Sequence, residues 1–206
     1  MKTATRAYHQ TARAESAEAT GRHIVEAFVA RLMEHWFDEI TLDKVAEDAG
    51  VTVQTVVRRF GSKEGLLSSA AEVIGTQVSA QRSAQHGNID KLVENLLGDY
   101  ERTGDAVIRL LALEPRQPAL KKLLDFGRSE HRRWVSNAFT DSLSHLDPAA
   151  CQRAIDALVI ITDVYTWKLL RRDIGRSVRA TAETMKNLIH ATITQSLNAQ
   201  NNNEIE

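Results

Sequence analysis

Apolar residues at helical spacing mark two short segments between residues 41 and 60. One helix face of the first segment is defined by Leu42, Val45, Ala46 and Ala49. A similar face of the second segment is defined by Val53, Val56, Val57 and Phe60. Gly50 lies between the segments, where its freedom to adopt a positive φ suits a tight turn. Neither segment is long enough to be a stable helix alone, so the pattern predicts a helix-turn-helix packed on a third helix.

The second segment has a polar side opposite its apolar face. It presents Gln54, Thr55 and Arg58, with Thr52 and Arg59 at the flanks. Glutamine suits adenine, arginine suits guanine, and threonine reaches either a base or a phosphate. Arginines near a helix C-terminus also complement the helix dipole, but this alternative does not explain the remaining polar side chains. We therefore predict that this face contacts DNA.

Lys63 lies in the first turn of the next predicted helix, directly after the N-cap candidate Ser62. A cation at that position opposes the helix dipole by a few tenths of a kcal/mol up to about 1 kcal/mol. A bound phosphate would reverse the sign, because the ammonium and the free N–H groups would then both face an anion. A solvated surface lysine is the alternative. We predict a phosphate contact.

Two apolar helices near the C-terminus predict a second function, self-association. The penultimate helix, between Cys151 and Leu170, is apolar nearly all the way round, which indicates burial on more than one side. The last helix, about 178–197, carries a cleaner stripe. Two such helices from each of two chains would form a four-helix dimer interface. The residues predicted for it are Ile155, Leu158, Val159, Thr162, Met185, Leu188, Ile189 and Ile193.

Composition narrows the class of protein. A net charge of −1 over 206 residues means that any electropositive surface must be local. The single cysteine excludes an internal disulfide and a CxxC metal site, and fits a reducing cytosol. No apolar run reaches the roughly 18 residues of a membrane span, so we expect a cytoplasmic protein. The seven histidines form no HExxH or paired ExxH motif, and neither a glycine-rich phosphate loop nor a nucleophile elbow occurs. We expect no enzyme, cofactor or metal.

Residues Ile24 to Leu67 resemble the TetR family of bacterial transcriptional regulators, and the specific parts are AEDAGVT, Phe60 and SKEGLL. The resemblance implies a repressor that binds a palindromic operator as a homodimer and is released by a small molecule. It also implies DNA contacts by Thr41, Thr52, Val53, Gln54, Thr55, Arg58, Arg59 and Lys63. The family usually has a phosphate-binding tyrosine where this chain has Val57. Arg59 is therefore expected to supply the missing contact.

The expected architecture is all-α, with an N-terminal three-helix DNA-binding domain, a C-terminal helical domain for ligand binding and dimerisation, and about nine helices in total. The predicted parts are a flexible basic arm (1–17), the helix-turn-helix domain (18–65), the effector-binding and dimerisation domain (66–197) and a disordered tail (198–206). The basic arm could reach DNA, although an untethered terminus is the simpler interpretation.

Large or polar residues within apolar stretches are the candidates for the effector site. They are Tyr100, His131, Trp134, Asp163 and Trp167. Core packing is the alternative for the two tryptophans, and an ion pair at a rim is the alternative for Asp163. The identity of the effector stays open. A DNA-binding regulator or activator without an effector is the main rival function, followed by a helical enzyme or interaction protein.

Overall fold

The computed structural model describes residues 3–82 and 88–203, with side chains described over 15–76 and 88–198. Regular structure in these ranges is entirely helical, so the all-α prediction is confirmed. The α-helices are α1 (Thr3–Glu34), α2 (Leu42–Asp48), α3 (Val53–Phe60), α4 (Lys63–Arg82), α5 (Ile89–Leu113), α6 (Pro118–Ala138), α7 (Thr140–Leu143), α8 (Pro148–Thr162), α9 (Val164–Lys168) and α10 (Val178–Asn203). Short 3-10 helices occur at Phe37–Glu39 and Glu114–Arg116, and a π-helix at Leu169–Asp173.

The chain forms two compact units, Met1–Ile74 and Gly75–Glu206. The division falls inside α4, whereas the predicted domain boundary at residues 65 and 66 corresponds to the start of that helix. None of the described helices is long and apolar enough to cross a membrane.

The first unit packs α1, α2 and α3 around one apolar core, joined by the beginning of α4. Fully or almost fully buried side chains in it include Ile24, Phe28, Leu32, Phe37, Val45, Val56, Leu66 and Ala70. Trp36, four residues after the buried Leu32, is partly exposed. The helix ends at Glu34, and Phe37 of the following 3-10 helix takes the buried place instead.

Both ends of the chain are more helical than the sequence indicated. The segment 1–17, predicted to be a flexible arm, is helical from Thr3 and continuous with the rest of α1. The segment 198–206, predicted to be disordered, is helical up to Asn203. Neither helical extension contains glycine or proline, so nothing in the sequence interrupts the growth of the existing helix.

The second unit packs α5, α6, α8, α9 and α10 around a separate core. Its largest fully buried side chain is Trp167, which lies against Gly104 in the middle of α5. Helix α5 is continuous from Ile89 to Leu113. The long penultimate helix is instead interrupted at Asp163, whose ψ of 153° is extended. The carboxylate of Asp163 accepts a hydrogen bond from the amide of Tyr165 and so caps α9.

Charged side chains hold the π-helix after α9 against α5. The guanidinium of Arg171 makes a bidentate pair with Glu101, with Nε–Oε1 at 2.6 Å and Nη2–Oε2 at 2.9 Å. Arg172 pairs in the same manner with Asp105 and also lies 4.5 Å from the centre of the Trp167 ring. These hydrogen bonds lower the pKa of each carboxyl and raise the pKa of each guanidinium. Each carboxylate is therefore ionised at neutral pH and paired with its own arginine.

Candidate nucleic-acid interface

Two threonine hydroxyls begin the helices of the helix-turn-helix. The Oγ1 of Thr41 accepts a hydrogen bond from the amide of Lys44 at 3.4 Å, and the Oγ1 of Thr52 accepts one from the amide of Thr55 at 3.3 Å. The hydroxyls of Thr52 and Thr55 are also 3.0 Å apart. Gly50 takes a φ of 64° in the turn between the helices, as its position in the sequence predicts. Thr41 and Thr52 thus have structural roles as N-caps beside their predicted contacts with DNA.

Helix α3 has a narrower buried face than its sequence suggested. Val56 is completely buried, and the side chains of Gln54 and Arg58 are exposed as predicted. Val57 was expected on the core face but is 43% exposed. Val57 lies 100° around the helix from Val56, and an eight-residue helix in contact with the core along one line buries only that line. Arg58 makes no hydrogen bond or ion pair with the described residues.

The second arginine of α3 points toward α1. A Cβ added at Gly21 of α1 would overlap the guanidinium of Arg59, so the two lie in direct contact. The Arg59 guanidinium carbon is also 6.0 Å from the centre of the Phe60 ring. Gly21 is buried, and its lack of a side chain provides the space that Arg59 occupies. The two neighbouring arginines of α3 thus lie in different surroundings, with Arg58 facing outward and Arg59 against α1.

The ammonium of Lys63 is directed at the protein backbone. It donates hydrogen bonds to the carbonyl oxygens of Phe37 and Ile40, both at 2.9 Å, and lies 3.5 Å from the carbonyl oxygen of Asp38. It is also 4.5 Å from the centre of the Phe37 ring. A cation at the start of α4 is thus accommodated by carbonyl oxygens that carry the partial negative charge, and a phosphate is not required to explain it.

Two further features of this unit were not found in the sequence. Arg31 of α1 forms an ion pair with Asp48, in which Nη2 donates a hydrogen bond to Oδ1 at 2.8 Å and Nε lies 2.6 Å from Oδ2. Asp48 lies in the last turn of α2, where an acid opposes the helix dipole, and that mismatch is the signal that a cationic partner was needed. A Cβ added at Gly65 would overlap the carbonyl oxygen of Phe60, so only glycine lets α4 begin this close to the end of α3.

Four of the five candidate effector residues lie in one buried cluster centred on Thr162. The hydroxyl of Tyr100 donates to the carbonyl oxygen of Thr162 at 3.0 Å, and the Thr162 hydroxyl is 3.1 Å from Nε2 of His131. The ring of Trp134 stacks on His131 at 5.5 Å between centroids, and that of Trp167 lies 5.9 Å from Tyr100. The fifth candidate, Asp163, is the N-cap of α9, a role that the sequence analysis did not predict.

Half of the residues predicted for the dimer interface belong to the core of the protomer. Leu158, Thr162, Met185 and Ile189 each have no exposed surface in the single chain, so they have none to lose on association. The single chain thus places these four residues in the core of the protomer. The apolar stripes of α8 and α10 face each other, and the sequence gives no sign of which apolar side of α8 points inward. Of the other four, Leu188 is 44% exposed, and Ile155, Val159 and Ile193 are partly exposed.

No group of three or more acidic, histidine or cysteine side chains among the described residues is arranged to hold a metal ion.

Comparisons with known proteins agree with this arrangement. The sequence model of the family described as bacterial regulatory proteins, tetR family, matches residues 24–70, which include α2, α3 and most of the first-unit core. No curated protein sequence matches the chain.

Several solved structures share the fold. A protein of Rhodococcus sp. Rha1 described as a transcriptional regulator has a TM-score of 0.68 at 12% identity, over 85% of this chain and 96% of that one. A Rhodococcus sp. protein described as a TetR-family transcriptional regulator has a TM-score of 0.65 at 18% identity, over 85% and 99% of the two chains. A Pseudomonas aeruginosa PAO1 protein described as a transcriptional regulator has a TM-score of 0.65 at 15% identity, over 89% and 94%. The helix-turn-helix unit of this chain, within residues 24–70, is thus similar to the tetR family of bacterial regulatory proteins.

Proposed function

We propose that this regulator is a repressor that binds a palindromic operator as a homodimer in the cytoplasm and is released by a small molecule bound in its second unit. Gln54 and Arg58 of α3 contact base edges, and Thr41, Thr52, Val53 and Thr55 contact the DNA around them. Arg59 and Lys63 are left out of the direct contacts, because the Arg59 guanidinium packs against Gly21 and the Lys63 ammonium is hydrogen-bonded to backbone carbonyl oxygens.

The observation that carries this proposal is the outer face of α3. Gln54 and Arg58 are one helical turn apart, exposed, and on a helix whose start is fixed by the Thr52 cap. Arg58 has no partner among the described residues that would compete with a base or phosphate. A short helix with a fixed start and an uncommitted polar face suits the major groove, which admits one α-helix.

Binding to selected DNA tests this assignment. Operator sequences are first selected from a random duplex pool with the wild-type protein, and affinities are then measured by fluorescence anisotropy. Gln54→Ala should change the preferred bases, and Arg58→Ala should weaken operator binding by about 1–3 kcal/mol per lost bidentate base contact. Arg179→Ala is the matched control, since it removes the same charge from an exposed position on α10. Equal losses on every duplex for Gln54→Ala would refute its base-reading role.

Dimerisation through the outer sides of α8 and α10 is supported by the apolar groups that remain accessible there. They are Ile155, Val159, Leu188 and Ile193, the residues of the predicted interface that the core does not bury. Burial of apolar surface contributes about 25 cal/mol of free energy for each Å² removed from water. Several such side chains on one surface therefore favour association with a second copy of the chain.

Sedimentation velocity tests the dimer. Leu188→Glu should shift the protein toward monomer, because a carboxylate would be buried without a partner. Val73→Glu introduces the same charge at an apolar side chain of similar exposure in the first unit, and should leave the dimer intact. A wild-type monomer, or a dimer that tolerates Leu188→Glu, would contradict the proposed interface.

For release by an effector, one rival function has specific support, namely a DNA-binding regulator that needs no effector. The hydroxyl of Tyr100, Nε2 of His131 and Nε1 of Trp167 already have partners inside the second unit, as expected of a regulator without an effector. Operator binding measured with and without a metabolite extract from bacterial cells separates the two. Release of the operator by the extract supports an effector, and unchanged binding over a range of extracts favours the effector-independent regulator.

A further inference from the structure

Lys63 joins two parts of the chain that lie on either side of the helix-turn-helix. Its two hydrogen bonds of 2.9 Å end on Phe37 and Ile40, directly before α2 begins. Lys63 itself is the first residue of α4, directly after the turn that ends α3. The ammonium of Lys63 thus connects the segment that precedes the helix-turn-helix to the helix that follows it.

The surroundings of the ammonium explain why it stays inside. An ammonium has three protons, and three backbone carbonyl oxygens lie within 3.5 Å of it. Those of Phe37 and Asp38 belong to the 3-10 helix, and the Phe37 carbonyl oxygen also accepts a hydrogen bond from the amide of Ile40 at 3.3 Å. The face of the Phe37 ring lies 4.5 Å away and adds a favourable cation–π interaction. A phosphate would have to take the proton donors away from this set of acceptors.

The position of α3 depends on this connection. The first turn of α4 lies directly on the end of α3, because Gly65 contacts the carbonyl oxygen of Phe60. Whatever holds the start of α4 to Ile40 therefore also fixes the end of α3 relative to the start of α2. We infer that Lys63 is a positioning residue, which closes the helix-turn-helix and orients α3 for DNA, and that it is not a phosphate ligand. This inference rests on the proposed DNA-binding function.

Salt dependence of binding separates a positioning residue from a phosphate ligand. Affinities of wild type and Lys63→Met are measured for a selected operator and for an unrelated duplex between 50 and 200 mM salt, well below the melting temperature of each protein. We expect operator affinity to fall about tenfold, with unchanged affinity for the unrelated duplex and an unchanged salt slope. Lys91→Met is the matched control, because it removes the same charge from an exposed position on α5.

The other results each overturn the inference in a recognisable way. A phosphate ligand would lower the magnitude of the salt slope by about 0.9 for each contact and weaken both duplexes. A residue that only stabilises the fold would lower the melting temperature and leave both affinities unchanged. A wild-type protein without preference for any operator would refute the proposed function itself, before any variant is compared.

Lys63→Arg gives a second test that keeps the charge. Arginine is a good bidentate phosphate ligand, so it would preserve or tighten binding if this residue contacted phosphate. Its planar guanidinium cannot direct three donors at the closely spaced carbonyls that the ammonium contacts. We expect Lys63→Arg to lose operator preference while retaining the salt slope, and operator affinity equal to that of wild type would overturn the positioning role.

Discussion

The contact between Gly104 and Trp167 allows a quantitative test of packing in the second unit. A Cβ added at Gly104 would lie 2.5 Å, 2.6 Å and 2.9 Å from three carbon atoms of the six-membered ring of Trp167. Ordinary carbon contacts are about 3.5–4.0 Å, so Gly104→Ala requires one of the two elements to move by about 1 Å. Trp167 is fully buried, and its Nε1 is held at 2.8 Å by Glu101, so the ring has no free direction.

The expected magnitude follows from two opposing effects. Overpacking a well-filled core typically costs about 1–3 kcal/mol. Replacing glycine by alanine inside a helix stabilises by about 0.8–1.0 kcal/mol. Gly98 lies in the same helix, is exposed, and has no described atom within 4 Å of an added Cβ, so Gly98→Ala should show the stabilisation alone. Gly104→Ala should therefore be less stable than Gly98→Ala by about 1–3 kcal/mol.

Thermal unfolding by circular dichroism measures this difference at a fixed protein concentration. A change of 1 kcal/mol moves the melting temperature by about 2–4 °C for a protein of this size. The melting temperature of Gly98→Ala should be higher than that of wild type, and that of Gly104→Ala should be lower than that of Gly98→Ala. If Gly104→Ala were as stable as Gly98→Ala, the packing of Trp167 on α5 described above would be refuted.

Three further predictions test single contacts. Hydrogen bonding from Arg171 lowers the pKa of Glu101 below its ordinary value of 4.5, so its stabilising effect is present above that pH and is lost as the pH falls through the lower folded-state pKa. Urea unfolding of wild type and Glu101→Gln should therefore differ at neutral pH and converge in acid; a difference that persists in acid would contradict the pairing. Gly21→Ala should raise the melting temperature more in an Arg59→Ala background than in wild type. Alanine stabilises a helix by about 0.8–1.0 kcal/mol relative to glycine, and without the Arg59 guanidinium the new Cβ no longer overlaps another group. Thr52→Ala removes the N-cap of α3 and should reduce the unfolding free energy by about 1 kcal/mol, and an unchanged value would show that the hydroxyl does not cap the helix.

The helix-turn-helix was predictable because its signals are local. The Thr52 cap, Gly50 in the turn and the burial of Val56 all follow from residues within one or two helical turns of each other. Val57 was misplaced because a pattern of apolar residues gives the direction of a helix face only to within about one position, or 100°.

Lys63 shows the opposite case. Its carbonyl partners are 23 to 26 residues away, and a backbone carbonyl has no signature in the sequence. A cation at the start of a helix predicts a negative partner, and the sequence alone points to a DNA phosphate because it does not show that backbone carbonyl oxygens of the protein lie within reach.

The second unit was the less predictable part for a related reason. An apolar residue on α8 gives no information about which neighbour covers it, so buried Leu158 and exposed Ile160 look alike in the sequence. The break between α8 and α9 did leave a signal, since Asp163 is a good N-cap inside an otherwise apolar run. That signal was interpreted as a ligand or rim residue.

The break at Asp163 also bears on how the second unit opens and folds. It takes the carbonyl of Thr162 out of the helical ladder, and the hydroxyl of Tyr100 on α5 binds that carbonyl instead. Trp167 of α9 likewise binds Glu101 of α5, 66 residues earlier in the chain. Helix α9 also contacts the distant helix α5 more extensively than it contacts its neighbour α8. Its amide hydrogens should exchange with solvent together with those of α5, as one cooperative unit formed only after that long stretch of chain has closed.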